Sequence, residues 1–374
     1  ADNLRRCLES VRLAEFDQIV IADTGLEDPA ALRVVQAESE YRIREQKLTA
    51  IETPAFTWVD DFAAARNFSL SFIKTAWCMW MDGDDECEGA ENIRPIIEQF
   101  GGPDVSGFWL PYRYAFDEYG NNTTLHDRER IINMDMGWTW KRRIHEVLEP
   151  HRMGRWFQED RVILNHLGGN VSNAKRNLPL LLRMMEENPN DIRVYRDLAN
   201  QYYSEGEWGK AAEWYEKYAH IEGENPMERW QAMCYAARAY RSMRQYSAAI
   251  RSDTLAILIV PTWYDAYLGL AETYGLMEQW DKAIYWAEES LKKSNPSRYI
   301  MVNPAERQVR AAELLETAYA GKERFDEAIA QCDVYLAVRP REQKILDHRA
   351  AWEKAKVRKA RVTSFVEATK FLEP

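Results

Sequence analysis

The sequence predicts two structural classes in one chain of 374 residues: an α/β domain, then an all-helical array of repeats that stacks into a solenoid. Three observations predict this. Short apolar runs alternate with helix-like segments up to about residue 176. Almost everything after residue 177 carries helical periodicity. Within that second stretch a tyrosine recurs nine residues before an alanine, at Tyr202/Ala211, Tyr240/Ala249, Tyr274/Ala283 and Tyr319/Ala328. The length suits two domains rather than one.

In the first part, Leu4, Leu8 and Val11 share one face of an opening helix, with Asp2 or Asn3 as its cap. The run Gln18-Ile19-Val20-Ile21-Ala22 reads as a strand ending at Asp23-Thr24-Gly25. A polar helix and a segment ending at Ile51-Glu52-Thr53 follow. Asp60 or Asp61 then caps a helix expected to bury Ala64, Phe68 and Phe72. The apolar run Trp77 to Met81 reads as a buried strand that stops at Asp82, Asp84 and Asp85. Phe108–Phe116 and Thr123–Ile132 form an expected hairpin around Tyr119-Gly120-Asn121-Asn122. Strands near Trp140–Leu148 and Val162–His166, then Gly168-Gly169, complete the domain, whose boundary is placed at residue 176.

The repeats have a physical reason. A small residue nine positions beyond an aromatic lets two helices approach closely, and Pro261, Pro296 and Pro340 follow the last three alanines by twelve or thirteen residues. The alanines are 38, 34 and 45 residues apart, and the last interval is stretched by an insert around Tyr299–Asn303. This stretch resembles tetratricopeptide repeats, with Leu198, Leu270 and Leu315 at the matching first-helix position. A charged helix, about Glu342–Lys370, is expected to cap the stack. The tryptophans at 208, 214, 230, 263, 280 and 286 read as core packing, with partial exposure possible on a protein-binding face.

Composition narrows the function. A net charge of −11 argues against nucleic acid as a partner, which calls for a basic face. No apolar run is long enough to cross a bilayer. Five cysteines, Cys7, Cys78, Cys87, Cys234 and Cys332, are odd in number and scattered, which suits reduced thiols and a cytoplasmic setting. Fourteen tryptophans supply packing and stacking surface. Carboxylates at a strand end can hold a hard cation against a phosphate-bearing ligand, or merely keep that end solvated.

Taken together, Asn3-Leu4 through Val11, Ile19 to Gly25, Phe62-Ala63-Ala64-Ala65-Arg66-Asn67 and Trp80 to Asp85 resemble a family 2, GT-A type glycosyltransferase. WKRRIHEVL (Trp140–Leu148) and Asn165-His166-Leu167-Gly168 make it similar to the bacterial and phage subset with C-terminal tetratricopeptide repeats. In that family a strand usually precedes the first helix, and this chain opens at the helix. The strand is therefore expected to be missing, which bears on isolated activity.

The resemblance implies a Rossmann-like nucleotide-sugar fold, a nucleotide-sugar donor, UDP-linked by family habit, and Mn2+ or Mg2+. It implies that Asp84 contacts the metal, that Asp82 lies near the ribose or joins the metal site, and that His166 is the third ligand, with His145 as competitor. Asp85 would orient its neighbours. Asp23, with Thr24, would meet the base or ribose, or else cap its own turn. Arg66 would sit near the nucleotide, or pair structurally with Asp82 or Asp85. Lys175 and Arg176 would clamp the diphosphate, or only begin a helix. Glu146, beside His145, is the candidate catalytic base, or else a strand-edge partner of Arg142 or Arg143. Trp138 and Trp140 could stack on a sugar or pack as core. The other histidines, His126, His151, His220 and His348, read as surface or core residues. The implied acceptor is a protein or peptide recruited by the repeats, and a homodimer through the repeats is a further expectation. The rival reading is a non-catalytic scaffold carrying a degenerate transferase domain.

Overall fold

The computed structural model describes residues 1–24, 29–45, 50–168, 174–221 and 223–370; the side chains of Ala50, 174–176 and 365–370 also fall outside the description. Gly25 and Gly169 of the expected motifs lie outside the described residues. The chain divides into two compact units, one of residues 1–116 and 124–197, the other of 117–123 and 198–374. The division therefore falls at Asp197/Leu198, some twenty residues beyond the boundary read from the sequence.

The first unit runs α1 (Asp2–Ser10), β1 (Gln18–Val20), α2 (Pro29–Arg44), β2 (Ala50–Glu52), α3 (Phe62–Leu70), β3 (Trp77–Met79), β4 (Asp85–Glu88), α4 (Ile93–Phe100), β5 (Val105–Phe116), β6 (Asn122–Asn133), β7 (Trp138–Lys141), β8 (Val147–Pro150), β9 (Arg155–Gln158), β10 (Ile163–His166) and α5 (Ala174–Glu187). β1 and β2 pair in parallel. The main sheet has the order β3-β6-β5-β10-β4, with β9 joined to β5. β10 runs parallel to β5 and antiparallel to β4, and its register sets His166 opposite Asp85. That pairing places the carboxylate turn after β3 beside the end of β10.

Several local expectations change. Helix α1 takes Ala1 as its N-cap with no side-chain bond, so neither Asp2 nor Asn3 caps it. Asp61 caps α3 by accepting from the Ala64 N–H, and Ala63 and Ala65 are the helix's buried residues rather than Ala64. The expected strand over 140–148 is a β7–β8 hairpin, because Arg142 and His145 take positive φ of 73° and 53° and fold the chain back. The core under the sheet gathers Val11, Ile93, Ile96, Phe108, Leu110, Ile131 and Leu164.

The second unit begins within α6 (Arg193–Ser204), at Leu198, and runs on through α7 (Trp208–Ala219), the pair α8 (Pro226–Ser242) and α9 (Tyr246–Ile259), the pair α10 (Asp265–Leu276) and α11 (Trp280–Leu291), and the pair α12 (Glu306–Gly321) and α13 (Phe325–Leu336), before α14 (Gln343–Lys370). The nine-residue step is the hairpin turn itself. Each tyrosine carbonyl accepts from the N–H five residues on, as in Glu207 to Tyr202 and Arg324 to Tyr319. The residue between them turns left-handed at Gly206, Arg244, Glu278 or Glu323. Ala211, Ala249, Ala283 and Ala328 are buried at the contact this creates. Trp230 and Trp263 are buried too, while Trp208, Trp214, Trp280 and Trp286 are half-buried.

Candidate active site

The site is built where β3 gives way to β4. The turn between them closes through the Asp85 N–H donating to the Asp82 carbonyl at 3.0 Å. The Asp82 N–H returns a bond to Asp85 Oδ2 at 3.1 Å. Asp85 is fully buried, accepts the Tyr112 hydroxyl at 2.8 Å, and lies 3.3 Å from the Arg130 guanidinium. Burial pushes its carboxyl upward, against the pull of Arg130.

Asp84 and His166 face one another beside it. His166 Nδ1 is 3.7 Å from Asp84 Oδ1 and 3.4 Å from Asp85 Oδ1, and the three residues offer ligand atoms within 4.8 Å of each other. The Leu167 N–H donates to the Asp84 carbonyl at 2.8 Å, and the Tyr114 ring stacks on the imidazole at 4.9 Å. A Cβ at Gly168 would press into Asp84 Oδ2 and come within 2.8 Å of His166 Nε2. Two carboxylate residues and an imidazole fit a hard or borderline divalent cation. Asp85 already serves three other partners, so Asp84 and His166 are the ligands best placed to reach one.

Asp82 sits differently from its expected metal role. Its carboxylate pairs with Arg66 at 2.7 Å and lies 3.9 Å from Arg130, and Asp85 takes its place in the group with Asp84 and His166. Burial works against ionising Asp82, but Arg66 and Arg130 outweigh it and hold the carboxyl below its ordinary value. Arg66 also donates to Glu146 at 3.1 Å. Burial would lower its pKa, yet Asp82 and Glu146 drive the net shift upward. Its guanidinium lies 5.0 Å from the Trp80 ring centre and 4.9 Å from that of Trp140. One arginine thus joins the strand-end aspartate to the candidate base.

The partners expected for Glu146 are engaged elsewhere. Arg142 binds Asp191 and Asp197, and Arg143 lies near Asp61 and Glu187. His145 is exposed in the β7–β8 turn and stands outside the Asp84/Asp85/His166 group. Trp138 and Trp140 are not free to stack on a sugar, since both are buried in a core with Cys78, Ile132 and Leu148. Asn67 fixes Trp140 reciprocally, accepting its N–H at 2.7 Å and donating to its carbonyl at 2.8 Å. Lys175 and Arg176 lie in α5, but their side chains fall outside the described residues.

A cavity of about 660 Å³ adjoins these groups, bounded by Gln18–Ala22 on one side and Thr75–Met79 on another, and reaching Thr24, Arg66 and Asp82. Thr24 is exposed on it. Asp23 is half-buried, and its backbone is tied to the segment after β2: its N–H donates to Pro54 and its carbonyl accepts from Phe56.

Residues 1–161 match the model of Glycosyl transferase family 2. This segment is a family 2 glycosyltransferase domain. The family 2 domain is followed by the tetratricopeptide-type hairpins described above. A TPR repeat-containing protein of Synechococcus elongatus is 22% identical over 287 residues, 70% of this chain and 66% of that protein. The chain therefore spans just under two thirds of that relative. Among solved structures, MamA is 22% identical and aligns with 46% of this chain and 92% of its own, at a TM-score of 0.38. A thermophilic TPR protein in Thermus thermophilus is 20% identical over 50% of this chain and 92% of its own, at 0.36.

Arg130, Tyr112 and Tyr114 escaped the sequence reading. The signal for Arg130 was there, as an arginine in an apolar strand end, Arg130-Ile131-Ile132, where an unpaired charge would be costly. The signal for the two tyrosines, both on β5, needed the register of β10 against β5 and β4.

Proposed function

We propose that the protein is a metal-dependent glycosyltransferase that moves a sugar from a nucleotide-sugar, UDP-linked, to an acceptor recruited by the repeat unit, a protein or peptide. The observation that carries this reading is the grouping of Asp84 and His166 over Gly168, on the turn whose Asp82 and Gly83 line the cavity, within a segment that matches family 2. A bound divalent cation would neutralise charge on the departing diphosphate. Asp84 and His166 would hold it, and Asp85 fixes their frame through Tyr112, Arg130 and the Asp82 N–H. Arg66 keeps Asp82 ionised and holds Glu146 in place. In the transfer, the acceptor oxygen attacks the anomeric carbon, the bond to the diphosphate oxygen breaks, and Glu146 takes the acceptor's proton.

No helix of the described residues is long and apolar enough to cross a membrane, and all five cysteines are buried and unpaired. Buried thiols without disulfides are what a reducing, cytoplasmic setting for this activity would keep. Asp84→Asn is the direct test. It should abolish transfer while moving the melting temperature little, because Asp84 is half-buried and its side chain lies apart from the Arg66 and Arg130 contacts. Retained transfer in that variant would overturn the metal assignment, and the scaffold reading would replace it if wild-type protein transferred no sugar.

A further inference from the structure

Trp58 is a large apolar side chain left 38% exposed, while the other tryptophans of its unit are buried or half-buried, and it lines the same cavity as Thr24, Arg66 and Asp82. Its position is over-determined. The segment that carries it is bound to the end of the β1 strand region by the Asp23–Pro54 and Asp23–Phe56 backbone bonds, at 2.9 and 2.7 Å. Two residues further on, the Trp58 Nε1–H donates to Asp60 Oδ1 at 3.0 Å. Asp60 adopts φ of 54°, in the left-handed region that aspartate enters more readily than most residues, and so turns the chain between Trp58 and α3. The indole then packs edge-on against Phe62, ring centres 4.8 Å apart at 72°. Phe62 opens α3, the helix that delivers Arg66. The indole's polar atom is thus satisfied and one edge is packed, while exposed ring surface is presented to the cavity between the Asp23 turn and Arg66.

An exposed, rotationally fixed aromatic face beside a polar turn suits a flat heteroaromatic ring, because stacking is favourable and the clamp has already met the ordering cost. We propose, resting on the donor reading above, that Trp58 is the stacking platform for the nucleobase of the donor nucleotide, with Asp23 and Thr24 at the edge of that base or its ribose. The phosphates then point toward Asp84 and His166. Base–aromatic stacking tolerates different bases, so Trp58 would supply affinity, and the choice among bases would fall to the polar groups around it.

The test is calorimetric titration of the full chain with UDP and, separately, with inorganic pyrophosphate, both in Mn2+. Trp58→Ala should weaken UDP binding about tenfold or more and leave pyrophosphate binding within about twofold. Trp58→Phe, which keeps an aromatic face, should stay within about threefold of wild type for UDP. Equal UDP affinity in wild type and Trp58→Ala would overturn the stacking role alone. A matching loss for pyrophosphate would overturn it too, since the substitution would then be acting through the phosphate site. Wild-type protein that bound pyrophosphate but no nucleotide would overturn the donor reading and this one together.

Discussion

The Nε–H of Arg66 donates to Glu146 Oε1 across 3.1 Å, joining two residues 80 positions apart, while the same guanidinium holds Asp82 at 2.7 Å. The candidate base and a strand-end aspartate are therefore not independent. Anything that draws Arg66 away, an incoming diphosphate above all, changes the charge beside Glu146.

Replacing Arg66 should consequently do two kinds of damage. Arg66→Met is expected to lower kcat by about a hundredfold or more, and to cost about 1–2 kcal/mol in urea unfolding. The stability figure is reduced from that of a fully buried pair because Asp82 keeps part of its solvent contact. Arg66→Lys should recover much of the stability and little of the rate, since an ammonium cannot span both carboxylates as a planar fork does. Equal rates for wild type and Arg66→Met would contradict the role given to the bridge.

Gly168 offers a test of the metal group that leaves every ligand in place. Gly168→Ala should weaken Mn2+ binding about tenfold or more, measured by competition with a metal indicator, because the new methyl intrudes on Asp84 and the His166 ring. Unchanged affinity would show that the cation is held elsewhere.

His126 should govern part of the acid sensitivity of the first unit. It is buried among Tyr112 and Tyr114, and burial, reinforced by Arg128 and Arg130, pushes its pKa down to about 3. The folded state therefore favours neutral imidazole. Its contribution is fully present above the unfolded value near 6.5, and is lost as pH falls from there toward 3. The total is up to about 5 kcal/mol by linkage. His126→Phe should flatten the stability profile between pH 6.5 and 4 in urea titrations. A slope equal to that of wild type would place the titrating group elsewhere.

In the repeat unit, Arg241 donates to Asp253 Oδ2 at 2.6 Å and also to the Gly269 carbonyl and the Thr273 hydroxyl, all in a buried setting. Burial pushes the Asp253 carboxyl up to about 7 against the pull of Arg241. Arg241→Met leaves that carboxylate without its partner and should cost about 3–5 kcal/mol at pH 8, read by the loss of helical circular dichroism. The penalty should shrink toward pH 5, where Asp253 carries its proton. A pH-independent penalty would argue for lost packing instead.

Local signals were legible in the sequence, and long-range ones were not. The tyrosine–alanine step could be read because a helical hairpin is closed by residues five apart. Asp84 and His166 could be read because each ends an apolar run. Asp85 as their neighbour could not, because it depends on β10 lying antiparallel to β4 in one register. Strand β4 itself, Asp85-Glu86-Cys87-Glu88, looks like a solvated acidic turn, and only the sheet around it makes it a strand. Trp140 looked available for a sugar because nothing local reveals that Asn67, 73 positions away, fastens its backbone into the core.

The most direct test of the account is thermal melting of the full chain with UDP-, GDP- and TDP-sugars, each with and without Mn2+. A ligand at a hundred times its dissociation constant stabilises by about 2.7 kcal/mol, a shift that melting resolves easily. A metal site at Asp84 and His166 requires a rise that needs the metal and the UDP-sugar together, and that disappears in Asp84→Asn. A rise with the UDP-sugar that was indifferent to metal would contradict the site assigned to Asp84 and His166, and no rise with any pair would contradict the transferase itself.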